Sequence, residues 1–143
     1  MKFSTKTRYG IRAMVEIAVN EDDNGIYQKD IAKNQDLSYK YLDHILNSLK
    51  VAGLIAKAAG KKSGYVLTKK PSEISMFDIH SAFEPGICVI DCLSDNYSCE
   101  RESHCASFGF WGKLNNQIIR YFKSTSLQDL INEQIKLDDF VSA

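Results

Sequence analysis

The chain has 143 residues, 44% of them apolar, with 18 Lys+Arg balancing 18 Asp+Glu. That length sets one domain, or a small domain with an appended arm, and the apolar share suits a packed globular core. No run approaches the roughly 18 apolar residues of a membrane helix, and the charged start "MKFSTKTRYG" has no apolar segment behind it, so the expectation is a cytoplasmic protein with no secretory signal and no membrane partner.

Residues 4–20 place Ile11, Met14, Val15 and Ala18 at i, i+3, i+4 and i+7, the stripe of a helix with one buried face. "EDDNG" follows as a turn in which Gly25 supplies positive φ. A short helix over "QKDIAKNQD" buries Ile31 and Ala32. In "SYKYLDHILNSLKVAG" Ser38 is the N-cap, Leu42, Ile45, Leu46 and Leu49 form the buried stripe, and Gly53 ends the helix. Its other face carries Ser38, Tyr39, Lys40, Asp43, His44, Asn47 and Lys50, all able to hydrogen-bond outward. Two β-prone pieces, 54–58 and 65–68, then flank a Gly-Lys-Lys-Ser-Gly loop, which predicts a hairpin tipped with positive charge. Helix, short helix, helix and hairpin over residues 1–70 is the order of a winged helix-turn-helix.

Residues 71–85 predict a connecting helix capped by Ser75, with Met76, Ile79 and Phe83 on one side and Pro85-Gly86 as its end. A polar loop over 86–106 holds all four cysteines. Cys88, between Ile87 and Val89, reads as a small buried hydrophobe, and His44 and His80 as surface or core histidines. Beyond the loop, Trp111, Leu114, Ile118 and Phe122 recur every three or four residues over a helix at 108–123, widened by Phe110 and Ile119. So small a chain has little core left for this helix, so the expectation is a homodimer built along Trp111, Leu114, Ile118 and Phe122, with packing inside the monomer as the other option. The tail of 107–143 ends in a short helix and a ragged terminus. The fold class is thus mainly α with a small β-hairpin wing and a long C-terminal dimerisation helix.

Cutting the chain after residue 70 leaves 13 Lys+Arg against 7 Asp+Glu in the first part and 5 against 11 in the second. One basic and one acidic half point to a polyanion met by the front alone, although chance segregation onto two solvated faces gives the same numbers. A helix-turn-helix lays its second helix in the DNA major groove, where every base pair shows a distinct donor and acceptor pattern. Ser38, Tyr39 and Lys40 at the helix start, His44 and Lys50 further along, and Lys61 and Lys62 in the hairpin are the candidate contacts to a double-stranded, palindromic operator. The plainer reading of Tyr39, Lys40 and His44 is a solvated helix face.

These stretches resemble the Rrf-type transcriptional regulators, the family of the iron–sulfur cluster assembly regulator and the nitric-oxide-sensing repressor. "STKTRYGIRAMVEIA", "DIAKNQDLSYKYLDHILNSLKVAGLI", "GKKSGYVLTKKPSEISMFDIHSAFE" and "WGKLNNQI" carry the resemblance over most of residues 2–130. It implies a dimeric winged-helix DNA binder, with recognition positions at Ser38, Tyr39, Lys40 and Lys50 and a wing at 60–64. Ala59 stands where an arginine is common in the family, and Ser63 replaces one of two adjacent glycines, so a minor-groove arginine contact would have to come from Lys61 or Lys62 instead.

Cys92, Cys99 and Cys105 match the three cysteines of cluster-bearing relatives. Independently, closely spaced thiols in a reducing compartment point to metal or redox chemistry rather than a disulfide frame, and iron–sulfur clusters take soft thiolate ligands. Three thiolates leave one ligand to find. The histidine that some relatives place three residues after the last cysteine is Phe108 here, and the acidic residue of others' first helix falls on Arg8 and Arg12. His104, Cys88, Asp91 and an exogenous molecule remain as fourth-ligand candidates. A structural zinc, a clusterless thiol switch and inert cysteines are the other readings of the same residues. Catalysis would need a CxxC pair or a cleft that sets an acid or base beside the thiol, and the sequence makes neither visible, so the expectation is a protein that is not an enzyme.

Overall fold

The structure, a computed structural model, describes residues 2–61 and 63–142. Among them, α1 (Thr5–Val19), α2 (Gln28–Asn34) and α3 (Tyr39–Val51) are followed by the antiparallel hairpin β1 (Ile55–Lys57) and β2 (Tyr65–Leu67). Then come α4 (Met76–Ser81), α5 (Ala106–Ser124) and α6 (Leu127–Ser142). The expected mainly helical fold with a hairpin wing is present. No helix among the described residues is long and apolar enough to cross a membrane.

Ser4 caps α1 by accepting from the Thr7 amide at 3.2 Å. Of the predicted stripe, Met14 and Val15 are buried and Ile11 and Ala18 half-buried, with Ala13 and Ile17 completing the inner face. In α3 the stripe is as expected, with Leu42, Ile45, Leu46 and Leu49 all buried. Burying each stabilises the fold by about 1.5–3 kcal/mol. The turn between α2 and α3 places Asp36 at φ 52, a left-handed geometry that aspartate tolerates better than most residues.

Glu16, only 8% exposed, fixes the turn: its carboxylate accepts from Asn20 (2.9 Å), Asn34 (2.7 Å) and Gln35 (2.7 Å). Three amide donors take the place of a cation, satisfying a charge that burial would otherwise penalise. Arg12 grips the other side of Gln35, at its side-chain and backbone oxygens.

The hairpin pairs Ile55 with Leu67 and Lys57 with Tyr65. Ile26 adds a bridge beside Tyr65, with N···O distances of 2.7 and 3.1 Å. A Cβ on Gly64 would lie 2.5 Å from the Ile26 carbonyl carbon, so only glycine permits this close approach.

Two expectations are corrected in the second half. The connecting helix stops at Ser81 rather than running through Phe83, because the chain tightens into i→i−3 bonds there, Ala82 N–H to Ile79 O at 3.2 Å and Phe83 N–H to His80 O at 3.0 Å. The tail is not short and ragged but a continuous 16-residue helix. A capping box starts it: Ser126 and Asp129 exchange side-chain-to-amide bonds at 2.9 and 3.1 Å. Leu127, directly after the cap, and Ile131, one turn later, are buried. Ser75 and Asp78 form the same box at the start of α4. The two helix starts are joined by an antiparallel bridge, Met76 N–H to Thr125 O at 2.9 Å and Leu127 N–H to Ile74 O at 2.8 Å. One continuous core therefore unites α1, α3 and the hairpin with Ile74, Met76, Ile79, Leu127 and Ile131.

Candidate nucleic-acid interface and cysteine pocket

Ser38 accepts from the Tyr41 amide at 3.2 Å, so the N-cap of α3 is the one expected. Its hydroxyl proton stays free to donate outward. Tyr39 (58% exposed), Lys40, His44 and Lys50 all project into solvent, as do Asp43 and Asn47. Tyr41 instead turns inward and meets Tyr9 of α1 edge-on at 5.8 Å.

Two residues not singled out in the sequence organise this face. Gln28, at the first position of α2, donates to the Tyr39 carbonyl (3.2 Å) and to Asp43 (3.4 Å), tying the two helix starts together. Tyr65 anchors the wing beside them. Its phenol is held above the usual value, first by burial and then by the nearby Asp43 carboxylate and Tyr39, and so remains a proton donor at neutral pH. Lys57 Nζ lies 4.5 Å from the Tyr65 ring centroid. Lys61 is exposed at the wing tip beside Gly60 at φ +112, and Lys62 lies outside the described residues.

The cysteine segment runs from Gly86 to the start of α5, with 3-10 turns at Asp91–Leu93 and Glu102–His104. It is anchored at its beginning. Asn115 of α5, buried, accepts from the Val89 amide (2.9 Å) and donates to the Ile87 carbonyl (3.0 Å), imitating a neighbouring strand. All four cysteines are free thiols. Cys92, Cys99 and Cys105, spread over the fourteen positions 92–105, line one pocket of about 80 Å³ together with Ile90, Glu102, Ser107, Phe108 and Trp111.

Cys105 is the N-cap residue of α5. Its thiol lies below the ordinary value, chiefly through the Ser107 hydroxyl at 3.1 Å, then through the Phe108 amide, with Arg101 adding a smaller share.

Of the fourth-ligand candidates, His104, Cys88 and Asp91 do not line this pocket, whereas Glu102 does. His104 is exposed and paired with Ser103 at 3.3 Å. Cys88 is not the buried hydrophobe expected: it is exposed and donates to the Ile90 carbonyl at 3.0 Å, because the alternation of "GICVI" turns Ile87 inward and Cys88 out. His80 is buried, as a core histidine should be.

Among the described residues no three His, Cys, Asp or Glu side chains converge tightly enough to enclose a single metal ion. A polynuclear cluster spaces its ligands more widely. The donor set fits one: three thiols, one of them biased toward thiolate, beside a carboxylate and the apolar wall of Ile90, Phe108 and Trp111.

Along α5, positions repeat by about 100° per residue. Phe110, Leu114, Ile118 and Tyr121 therefore share one outer stripe, where Phe110 and Tyr121 are 59% and 68% exposed. Trp111, Asn115 and Phe122 turn toward the chain's own body. Phe122 is engaged there already, stacked on Phe3 at 5.1 Å and edge-on to His80 at 5.7 Å.

A family model described as "Rrf2: Iron-dependent Transcriptional regulator" matches residues 3–133. The chain is 32% identical over 133 residues to Protein rrf2 of Nitratidesulfovibrio vulgaris, covering 93% of this chain and 89% of that one. Among solved structures it is similar to CymR, the global cysteine regulator of B. subtilis, with a TM-score of 0.76, 32% identity and coverage of 93% and 98% of the two chains. It is also similar to T. potens IscR, with a TM-score of 0.74 at 28% identity over 94% and 88%. These relatives are regulators, not enzymes.

Proposed function

The chain belongs to the Rrf2 family of transcriptional regulators, and from that premise we propose that it is a cytoplasmic homodimer whose grip on duplex DNA is set by an iron–sulfur cluster on Cys92, Cys99 and Cys105. The observation that carries this reading is the gathering of those three distant thiols on one pocket behind a helix-turn-helix.

In this reading α3 enters the major groove. Tyr39, Lys40 and His44 face base edges and phosphates near its start, while Lys50 and the wing lysines Lys61 and Lys62 hold the backbone. Gln28 and Tyr65 position that surface. The second copy covers the outer stripe of α5, Phe110, Leu114, Ile118 and Tyr121, with Trp111 at its edge; Phe122 serves the protomer instead. A two-fold dimer reads a palindromic operator with half-sites separated by whole helical turns.

Cys92, Cys99 and Cys105 would hold the cluster, with Glu102 as the side chain best placed to complete the ligand set. Bound there, the cluster would supply redox exchange and sensitivity to oxidants, nitric oxide or iron supply. The chain's part is to present thiolates: Ser107 and the first amides of α5 favour the ionised form of Cys105, and the apolar wall keeps bulk water off one side of the pocket.

Anaerobic purification with iron, sulfide and zinc analysis and an absorption spectrum tests the cluster. Bound iron and sulfide with visible charge-transfer bands are expected, and Glu102→Gln should shift those bands. Protein that stays colourless and iron-free after reconstitution rejects it. A gel shift at two salt concentrations, on a duplex selected by the chain from a random pool, tests the front. Affinity should fall steeply with salt, and Lys40→Ala or Lys61→Ala should each lower the salt slope by about 1.

A second reading is thiol oxidation without a metal. It is favoured by the ionisable Cys105, which shares its pocket with two potential disulfide partners. Metal analysis separates the two.

A further inference from the structure

His80 is 1% exposed, and both its ring nitrogens are used. Nε2 lies 2.8 Å from the Gly86 carbonyl, which can only accept, so Nε2 carries the proton. Nδ1 then accepts from the Thr7 hydroxyl at 3.4 Å, and Thr7 in turn accepts from Ser4 at 3.2 Å. Gly86 begins the cysteine segment and stands at φ +78, whereas Ser4 and Thr7 begin α1. One imidazole thus joins the start of the cysteine segment to the start of the DNA-binding unit. Phe3 at 5.5 Å and Phe122 at 5.7 Å flank the ring and fix its plane.

On each side of His80 the connection continues through defined contacts. Toward the thiols, the Asn115 clamp holds the Ile87 carbonyl and Val89 amide, three residues before Cys92. Toward DNA, Tyr9 of α1 meets Tyr41 of α3. The Glu84 carboxylate, one turn on, flanks the central link 3.7 Å from the same Nε2. The imidazole is buried while the Gly86 end is open to solvent. The link is directional and discrete: when the Gly86 carbonyl moves away, the Nε2 proton is left unpaired or passes to Glu84, and positions between are unfavourable.

We propose that His80 is the positioning residue that transmits the state of the cysteine pocket to α1 and thence to α3. The proposal rests on the reading that the pocket regulates DNA binding, but its structural core can be tested without that.

The test is hydrogen exchange read by mass spectrometry on the full chain, thiols free against thiols alkylated with iodoacetamide. In the wild type, alkylation should change exchange in the cysteine segment and also in the first turns of α1 and α3. His80→Phe keeps the aromatic packing but can neither donate to Gly86 nor accept from Thr7. In it the cysteine segment should still respond and the helices should not. His80→Asn retains an acceptor for Thr7 and loses reach to Gly86, and should behave like His80→Phe, which guards against a variant that fails to fold.

Operator affinity, measured on a duplex selected by the wild type, should change by about tenfold or more between apo protein and protein reconstituted with iron and sulfide, a typical coupling between sites. In His80→Phe the ratio should collapse to within about twofold. A residue with only a structural role would lower stability and leave that ratio unchanged. Transmission that persists in both variants, or a wild type whose helices ignore the thiols, overturns the proposal. Wild-type helices that respond while operator affinity does not would instead sink the regulatory reading and leave the coupling standing.

Discussion

The helix-turn-helix and the cysteine segment are built on opposite terms. In the first, every helix lays fully buried Leu, Ile or Met side chains into one core, so the positions of Tyr39, Lys40 and Lys50 follow from what lies beneath them. In the second, Ile87 is the buried hydrophobe, and the chain from Asp91 to Cys105 is held by local turns and by the Asn115 and His80 bonds at its start. The front is a finished surface that awaits a rigid partner. The segment behind it carries three half-buried thiols on short turns, with little core beneath them. Stability is concentrated in the first, and freedom to respond is left to the second.

The sharpest way to break that comparison is to weaken each region in turn. Leu46→Ala should cost about 2–5 kcal/mol in denaturant unfolding, the loss expected for a fully buried leucine. Asn115→Ala leaves the Val89 amide and Ile87 carbonyl unpaired and should cost about 1–3 kcal/mol, visible also as faster hydrogen exchange at 87–90. Ser75→Ala, which removes one half of a capping box, should cost about 1 kcal/mol by thermal melt. The triple change of Cys92, Cys99 and Cys105 to alanine should move apo stability by less than about 0.5 kcal/mol while abolishing iron binding; a large loss of apo stability would mean that the thiols are core, not donors.

The smallest effect concerns reactivity alone. Because the Cys105 thiol is lowered, its thiolate persists to lower pH than that of an ordinary thiol at 9.0, and its alkylation should titrate with a midpoint below that value. Ser107→Ala should move the midpoint back up. Cys105 is only half-buried, at the wall of an open pocket, so this shift governs its chemistry rather than the fold.

What could be read from the sequence follows the same division. Ile11, Met14, Leu42, Ile45, Leu46 and Leu49 announce their faces because a helix repeats every 3.6 residues, and Ser38 and Gly53 mark the ends of α3 by local chemistry alone. The length of the tail helix is not legible in the same way, since it depends on Leu127 and Ile131 finding α1. The cysteines announce a chemistry but not a fourth donor. Glu102 comes beside the thiols only through the turn at 102–104, and Cys88 leaves the interior through a side-chain alternation that its apolar neighbours conceal. Gln28, Tyr65, His80 and Asn115 carry no periodic signal at all. Each matters through one or two partners far along the chain, and such pairs are invisible until the fold brings them together.

The twin capping boxes have a consequence for how the chain can be cut. Because α6 starts in register with α4 and buries Leu127 and Ile131 in the core shared with α1 and α3, it is a structural member of the helix-turn-helix unit and not its appendage. A fragment ending after the wing would expose the apolar face of α1 that α6 covers. The contacts of α6 with α1 thus tie distant parts of the chain into one unit, and α5, about 28 Å long, runs as a strut from the thiol pocket to the start of α6.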